Sequence, residues 1–287
     1  MIPAHFDYVA PTTVAEALQA LADGGEDAKI LGGGQSLLPV LRLRLAAPTV
    51  VVDLSRVAEL KGITVEGDEL VIGAMTTHHD VLNSPEVVEH AALLALTAAT
   101  VADPSIRHRG TLGGALSHAD PAGDLGAPVL ALDATMVIAS PGGATRTVAV
   151  ADFFQDYFTT AVEPGELLTQ IRIPKHTGWG AQYEKFNRVA QAWSIVAVAA
   201  ALKIDGGTVT EAKVALTNMA STPVRAHGVE AALVGQPATP ESFRAAAEHA
   251  AEGTSPGSDI GADAEYRTHL AGVLTRRALA TAAGTVA

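Results

Sequence analysis

The sequence predicts an α+β protein in two parts, and three observations point to this class. Short strands and helices alternate over residues 1–176, two glycine clusters interrupt that region, and an antiparallel meander followed by helices occupies the C-terminal part. Residues 174–180 contain one proline and two glycines, so we place a domain boundary there. The predicted domains are 1–176, with subdomains of about 1–55 and 56–176, and 177–287.

The first predicted helix begins at the capping box formed by Thr13 and Glu16. Val14, Leu18 and Leu21 recur at helical spacing until the two glycines at 24 and 25 end the segment. The remaining elements of the first domain follow from β-branched runs and helical apolar spacing. They are strands at 28–31, 49–54, 70–74, 129–139, 145–150 and 167–173, and helices at 77–82 and 86–101.

Three strands are predicted in the second domain, at 183–189, 194–204 and 208–217. The turn Asp205-Gly206-Gly207 separates the last two strands, which is typical of an antiparallel hairpin. Helices are predicted at 225–233, 240–252 and 264–283. No internal repeat or coiled-coil heptad is found.

Composition excludes several classes of function. The chain of 287 residues has 19 Lys and Arg against 31 Asp and Glu, a formal charge of −12, so its surface repels nucleic-acid phosphates. The absence of cysteine excludes disulfides, thiolate zinc sites and iron–sulfur clusters held by this chain. No apolar run is long enough to cross a membrane, and residues 1–20 do not resemble a secretory signal, so we expect a cytoplasmic protein.

The first glycine cluster lies directly after the predicted strand at 28–31, in Gly32-Gly33-Gly34-Gln35-Ser36-Leu37. Consecutive glycines let main-chain N–H groups converge on one point, an arrangement that can hold a pyrophosphate. The spacing is neither a Rossmann fingerprint nor a P-loop. Taken alone, a glycine turn with a purely structural role explains it equally well.

The second cluster, Thr111-Leu112-Gly113-Gly114, is followed by polar side chains that could contact a cofactor. Ser117 offers a hydroxyl, and Asp120 and Asp124 offer carboxylates that could accept hydrogen bonds from ribose or flavin. Two separated glycine clusters in one domain are expected for a cofactor that has two phosphates, a ribose and a long ring system.

Two alternative functions of these residues are metal binding and hydrolysis. His118, Asp120 and Asp124 are possible metal ligands, but their spacing matches no metal motif. A serine hydrolase is excluded because no Gly-x-Ser-x-Gly elbow is present.

Lys185 and Trp193 lie near the start of the second domain. Lysine on a half-apolar strand is usually solvated, and tryptophan is usually in the core. The functional alternative is that Lys185 reaches across the domain junction, where a cation stabilises a reduced flavin anion.

Taken together, the two clusters resemble known cofactor loops. Residues 32–36 resemble the A-G-G-H/Q-S loop, and residues 111–114 the T-I-G-G loop, of the FAD-binding medium subunits of carbon monoxide dehydrogenases. This family belongs to the molybdenum hydroxylases and is related to the flavin domain of xanthine dehydrogenase. The similarity covers essentially the whole chain. It implies a two-subdomain FAD-binding domain of the vanillyl-alcohol oxidase or PCMH type, followed by a three-stranded antiparallel sheet with helices.

The resemblance also implies where FAD binds. Residues 31–37 would surround the pyrophosphate, Thr111, Gly114, Ala115 and Asp124 would line the ribityl and phosphate path, Leu167 would contact the adenine side, and Lys185 would approach the flavin. The full set assigned to the cofactor is Lys29, Leu31, Gly32, Gly33, Gly34, Gln35, Ser36, Leu37, Thr111, Gly113, Gly114, Ala115, Ser117, Asp120, Asp124, Leu167, Lys185 and Trp193. Gln35 and Ala115 depart from the usual family residues, so one side-chain hydrogen bond to FAD is expected to be missing.

In this family, a large subunit holds molybdopterin and oxidises the substrate, and a small subunit carries two [2Fe-2S] clusters. The resemblance therefore implies an oxidoreductase subunit without catalytic residues or metal sites of its own, in a dimer of heterotrimers. It would pass electrons from FAD to an external acceptor such as quinone, with peripheral association at the inner face of the membrane left open. The alternatives are the flavin subunit of a xanthine, nicotinate or aromatic acyl-CoA hydroxylase, a stand-alone flavin oxidoreductase, and a non-catalytic assembly module.

Overall fold

The computed structural model describes residues 2–284, and its first sheet has three parallel strands in the order β1–β3–β2. These strands are β1 (Asp7–Val9), β2 (Ala28–Leu31) and β3 (Val50–Asp53). Helix α1 (Val14–Gly24) joins β1 to β2, and α2 (Leu37–Arg42) joins β2 to β3. The predicted cap of α1 is confirmed, because the Thr13 hydroxyl accepts the Glu16 N–H at 3.1 Å.

The second sheet has five antiparallel strands in the order β4–β5–β10–β6–β7. Its strands, with a separate two-stranded hairpin formed by β8 and β9, are β4 (Ile63–Glu66), β5 (Glu69–Gly73), β6 (Thr135–Ala139), β7 (Thr145–Ala149), β8 (Phe154–Asp156), β9 (Thr159–Thr160) and β10 (Leu167–Pro174). The helices of this region are α3 (His78–Asn83), α4 (Pro85–His90), α5 (Ala92–Thr100), α6 (Pro104–Arg107), α7 (Leu112–His118), α8 (Gly126–Ala131) and α9 (Val150–Phe153).

Two predictions in this region were wrong. The helix expected over 86–101 is interrupted at Ala91, which has φ −146° and ψ 49°. The carbonyl of His90, just before the break, accepts the His176 N–H at 2.7 Å, so a tertiary contact replaces a helical one. The strand expected over 129–139 begins only at Thr135, because the apolar residues before it form α8. A short apolar run does not distinguish a buried helix from a strand.

The third sheet has four antiparallel strands in the order β11–β12–β13–β14, so the predicted meander is confirmed and a fourth short strand extends it. Its elements are β11 (Gly180–Phe186), β12 (Val196–Asp205), β13 (Thr208–Thr217), β14 (Val224–Arg225), α10 (His227–Leu233), α11 (Pro240–Ala247) and α12 (Ala264–Ala282). The first strand of the meander was predicted over 183–189, which is too late in the sequence: β11 ends at Phe186, and residues 187–195 form a loop.

Strand β12 is buried on both faces, which explains its unbroken apolar sequence. Val196, Val198, Ala200 and Leu202 pack with the C-terminal helices. The alternating residues of β12 on the other face are alanines, which join the core of the five-stranded region. The domain division at residue 176 stays a prediction, since this core includes residues from both sides of it. No helix within residues 2–284 has the length and apolarity needed to cross a membrane.

Candidate functional site

A cleft of about 1130 Å³ is lined by both glycine clusters and by residues from the third sheet. This volume exceeds the roughly 300–1,000 Å³ typical of small-molecule sites, so the cleft is large enough for an extended ligand. The structure brings nearly all the predicted site residues together there. Those that line the cleft are Lys29, Gly32, Gly34, Gln35, Ser36, Leu37, Thr111, Gly113, Gly114, Ala115, Ser117, Asp120, Asp124, Leu167, Lys185 and Trp193.

The first glycine loop, residues 32–37, runs from the end of β2 into α2. Gly33 has φ +112° and Gly34 has φ +80°, backbone conformations that residues with a Cβ atom rarely adopt. A Cβ atom on Gly33 would also overlap the carbonyl oxygen of Arg109. Glycine at position 33 is therefore required both by the backbone angle and by the close approach of the second loop.

The main-chain N–H groups of residues 33–36 donate to no acceptor within the described chain. Consecutive N–H groups that are free of protein partners form a concave donor surface suited to an anion. The Gln35 side chain does not add to it, because its amide nitrogen donates to the Gly33 carbonyl at 3.0 Å. This loop can hold a phosphate or pyrophosphate through its backbone alone.

The second glycine loop, residues 111–114, differs because the N–H groups of residues 112–114 are already bonded to protein. Leu112 and Gly113 donate to the carbonyls of Thr76 and Ala74 at 2.9 and 2.8 Å, and Gly114 donates to the Thr111 hydroxyl at 3.2 Å. A run of free N–H groups is therefore present in the first loop and not in the second.

The two loops are in direct contact. The Thr111 hydroxyl donates to the Gly32 carbonyl at 2.5 Å while accepting the Gly114 N–H. A Cβ atom on Gly114 would lie 2.6 Å from the Gly32 carbonyl oxygen, closer than any ordinary packing contact. The second loop therefore supports the first loop and fixes its position.

Asp124 is buried and accepts hydrogen bonds from three side chains of the C-terminal part. Its Oδ1 accepts from Tyr183 at 2.9 Å and from Ser194 at 2.8 Å, and its Oδ2 accepts from Lys185 Nζ at 2.8 Å. Burial, reinforced by the Asp124 charge, raises the pKa of Tyr183 well above its usual range, so its hydroxyl stays a donor. These bonds leave Asp124 little capacity for ribose, and its role in this structure is to position Lys185.

The Lys185 side chain is only 6% exposed and also lies 3.3 Å from the Thr100 carbonyl oxygen. The interpretation of Lys185 as a solvated surface residue was therefore wrong. Trp193 is 57% exposed at the cleft, so its interpretation as a core residue was wrong as well. A buried ammonium group and an exposed aromatic ring thus meet the same cleft.

Several groups in the cleft were missed by the sequence interpretation. His78 lines it, and burial, together with the charge of Arg107, lowers the pKa of His78 to about 4. Arg146 Nε donates a hydrogen bond to Glu166 Oε1 at 3.0 Å, and hydrogen bonding to the Arg146 guanidinium lowers the pKa of Glu166 to about 2. Phe158 is exposed on the hairpin β8–β9. The glycine pattern gave no signal for any of them.

The metal interpretation of His118, Asp120 and Asp124 gains no support. Within residues 2–284 no group of three or more His, Asp or Glu side chains is arranged to hold a metal. Asp124 already accepts from three donors, and Asp120 accepts the Ala122 N–H at 2.9 Å. The donor set instead fits an extended, phosphate-bearing aromatic cofactor such as FAD: free backbone N–H groups, one buried cation and apolar walls.

Comparisons with known proteins agree with this geometry. A family model described as the FAD binding domain in molybdopterin dehydrogenase matches residues 4–176, and one described as the CO dehydrogenase flavoprotein C-terminal domain matches residues 181–282. The chain is 41% identical to the carbon monoxide dehydrogenase medium chain of Hydrogenophaga pseudoflava and 42% identical to that of Afipia carboxidovorans, each alignment covering 97% of both chains.

The structure is also similar to a solved structure of carbon monoxide dehydrogenase from H. pseudoflava, with a TM-score of 0.95, 42% identity and full coverage of both chains. Relatives at 34–36% identity include subunits named for nicotine, caffeine and glyceraldehyde enzymes.

Proposed function

Because the chain belongs to the family of FAD-binding flavoproteins of molybdopterin dehydrogenases, we propose that it is the flavin-carrying, electron-transferring medium subunit of a carbon monoxide dehydrogenase. The observation that carries this proposal is the first glycine loop: Gly34, Gln35 and Ser36 have main-chain N–H groups free of protein acceptors and line the same cleft as Lys185. FAD, when bound, would accept electrons and pass them on.

We assign the loop at 31–37 to the FAD pyrophosphate, because residues 33–36 have donors without protein partners and no side chain that could repel an anion. Leu167 and Lys29 lie at the same cleft and fit the expected adenine side. Residues 112–115 would contact the cofactor mainly through the shape of the surface that they form, since their N–H groups are bonded within the protein.

Lys185 would hold a positive charge near the reduced flavin, which is the form that gains negative charge. Its partner Asp124 keeps the ammonium group in one place through a buried ion pair at 2.8 Å. A buried cation without such a partner would lose its proton or turn away, because an unpaired charge is costly to bury. Trp193 supplies an exposed aromatic surface at the same cleft.

We further propose that the chain works with a large molybdopterin subunit and a small subunit holding the [2Fe-2S] clusters, in a dimer of heterotrimers. The relatives are medium chains and subunits of multi-subunit enzymes, which supports the need for partners. Carbon monoxide is the proposed substrate because the carbon monoxide dehydrogenase chains are about 41–42% identical, against 34–36% for relatives named for other substrates. Substrate oxidation would occur in the partner subunit.

The test is to purify the chain from its source with everything that is bound to it. We expect a molybdenum-containing large partner, a cysteine-rich small partner and one FAD per copy of this chain. Carbon monoxide added without oxygen should bleach the flavin absorption band. A complex without flavin would overturn the proposed function, whereas reduction by an aldehyde or a purine alone would overturn only the choice of substrate.

A further inference from the structure

One wall of the cleft contains a histidine that the proposed function does not use. His78 is the first residue of α3, lines the cleft and is only 4% exposed. Its Nδ1 atom is buried without a hydrogen-bond partner among the described residues. Buried polar atoms are nearly always hydrogen-bonded, and leaving one unpartnered destabilises the fold. This side chain therefore points to a role in binding rather than in folding.

Close packing places His78 beside the first glycine loop. A Cβ atom on Gly110 would lie 2.8 Å from His78 Cδ2 and 2.9 Å from His78 Nε2. Gly110 also adjoins the first loop, since a Cβ atom on Gly33 would lie 3.1 Å from Gly110 Cα. The His78 N–H donates to the Gly110 carbonyl at 3.0 Å, which fixes the start of α3 against this segment. A single glycine therefore joins the His78 ring to the loop assigned to the pyrophosphate.

The space beside Nε2 exists because residue 110 is a glycine. The φ of Gly110 lies outside the left-handed region, so its backbone conformation does not itself require glycine. A side chain at this position would instead cover the Nε2 edge of the imidazole and part of the cleft that both residues line. Glycine at 110 thus keeps one edge of the His78 ring uncovered next to the first loop.

The protonation state of His78 determines what the ring can offer. Because burial and the charge of Arg107 lower the pKa of His78 to about 4, the ring is neutral at pH 7. A neutral imidazole has one N–H donor and one acceptor nitrogen. Buried N–H groups without an acceptor are rarer than buried acceptors without a donor, so we assign the proton to Nε2 and the lone pair to the buried Nδ1. The ring then presents a neutral donor where Gly110 leaves space.

We propose that His78 is a further FAD-binding residue, whose Nε2–H donates a hydrogen bond to an oxygen of the pyrophosphate held by the first glycine loop. Phosphate oxygens are charged acceptors, which make stronger hydrogen bonds than neutral ones. His78 thereby supplies the side-chain donor that Gln35 does not, because the Gln35 amide nitrogen donates to the Gly33 carbonyl. This inference rests on the proposed function and adds a side chain to a phosphate site otherwise formed by backbone N–H groups.

The test measures ligand binding to the purified complex after its FAD has been removed. Calorimetry gives the Kd for FAD, for ADP, which carries the pyrophosphate, and for riboflavin, which carries no phosphate. His78→Leu removes both ring nitrogens, whereas His78→Gln keeps an N–H donor near the position of Nε2. His79→Leu is the matched control, because His79 follows in α3 but stacks on His108 and is not among the described residues that line the cleft.

We expect His78→Leu to raise the Kd for FAD and for ADP by the same factor, about 10- to 100-fold, the effect of one lost hydrogen bond to a charged group. The Kd for riboflavin should stay at the wild-type value. The FAD-free His78→Leu complex should melt at or above the wild-type temperature, because leucine removes a buried nitrogen without a partner. His78→Gln should recover most of the affinity, and His79→Leu should change none of the three constants.

Three results would overturn the inference. An unchanged Kd for FAD in His78→Leu would remove His78 from the cofactor site, whatever its effect on the melting temperature. Equal weakening by His78→Leu and His78→Gln would show that ring shape, rather than a donor, is what FAD requires. A raised Kd for riboflavin with an unchanged Kd for ADP would place the contact on the flavin or ribityl part instead of the pyrophosphate. In all three cases the wild-type complex would still bind FAD, whereas failure of the proposed function would leave the wild type itself without FAD affinity.

Discussion

The two glycine loops have similar sequences but differ in backbone conformation and in the hydrogen bonding of their N–H groups. In the first loop, Gly33 and Gly34 have positive φ angles and the N–H groups of residues 33–36 are free. In the second, Gly113 and Gly114 lie in the first turn of a helix, and their N–H groups are bonded to protein. Glycine provides backbone freedom in the first loop and the absence of a side chain in the second. The first loop therefore has donors available for a ligand, and the second loop supports the first.

The largest expected effect is that of Gly33→Val on cofactor binding. Valine cannot adopt φ +112° without strain, and its side chain would overlap the Arg109 carbonyl, so the free N–H groups would be displaced. We expect the FAD content of the purified complex to fall below about a tenth of the wild-type value, since both the donors and the space for a phosphate depend on this glycine. The flavin absorbance per mole of complex measures the FAD content.

Gly62→Val is the matched control for this prediction. Gly62 has a similar φ of +106°, but an added Cβ atom there meets no atom within 4 Å. It should lower the thermal stability by less than Gly33→Val, because backbone strain is not combined with an overlap, and it should leave the flavin content unchanged. Equal flavin loss in both variants would mean that Gly33 acts only through folding, and the assignment of the first loop would fail.

This contrast also shows what the sequence could predict. Helix α1, the meander β11–β13 and both glycine loops could be predicted because their signals are local: a capping box, alternating apolar residues and glycine clusters. The different roles of the two loops could not be predicted, because the acceptors for the second loop are the carbonyls of Ala74 and Thr76, far away in sequence.

Long-range contacts explain most of the other features that could not be predicted from the sequence. The ion pair between Asp124 and Lys185 joins residues 61 positions apart, and the pair between Glu166 and Arg146 joins residues 20 positions apart. The interruption of the predicted helix at Ala91 follows from the contact between His90 and His176. Phe158 was missed because a strained backbone angle leaves no mark in composition or spacing.

Gly113→Ala tests the supporting role of the second loop. Its Cβ atom would lie 2.5 Å from the Ala74 Cβ atom and 2.7 Å from the Ala74 carbonyl oxygen, and neither neighbour can rotate away. We expect a loss of about 1–3 kcal/mol in the free energy of unfolding, as for overpacked cores. Thermal unfolding measures it. Gly257→Ala is the control, because its Cβ atom meets open space. An unchanged melting temperature for Gly113→Ala would contradict the tight contact.

Thr111→Val tests the link between the loops, because it keeps the shape of the side chain and removes the hydroxyl. The Gly32 carbonyl and the Gly114 N–H would each lose their partner. We expect a loss of about 1–2 kcal/mol in stability and up to a tenfold rise in the Kd for FAD, because the first loop is no longer held. Thr111→Ser restores the hydroxyl and should restore both values. If Thr111→Ser has the same low stability and the same raised Kd as Thr111→Val, the two loops are joined by packing of the Thr111 methyl group rather than by the hydroxyl.

The smallest expected effect concerns Glu166, which lines the cleft and forms an ion pair with Arg146. Hydrogen bonding to Arg146, Glu163 N–H and Ser140 lowers the pKa of Glu166 from the ordinary 4.5 to about 2. Because the folded-state pKa is depressed, the stabilisation is complete above pH 4.5 and is lost as the pH falls towards 2. Arg146 is partly exposed to solvent, so we expect Glu166→Gln to cost only about 1–2 kcal/mol at pH 7.

Urea unfolding of wild type and Glu166→Gln at pH 7 and in the acid range measures this difference. The two unfolding free energies should converge as the pH falls from 4.5 towards 2, since the wild-type carboxylate is then protonated and resembles the amide. Flavin content at pH 7 should stay near the wild-type value, because the free N–H groups of residues 33–36 lie on another loop. A gap that is constant with pH would show that Glu166 contributes by packing, and a large flavin loss would place the pyrophosphate site at this wall instead of at the first glycine loop.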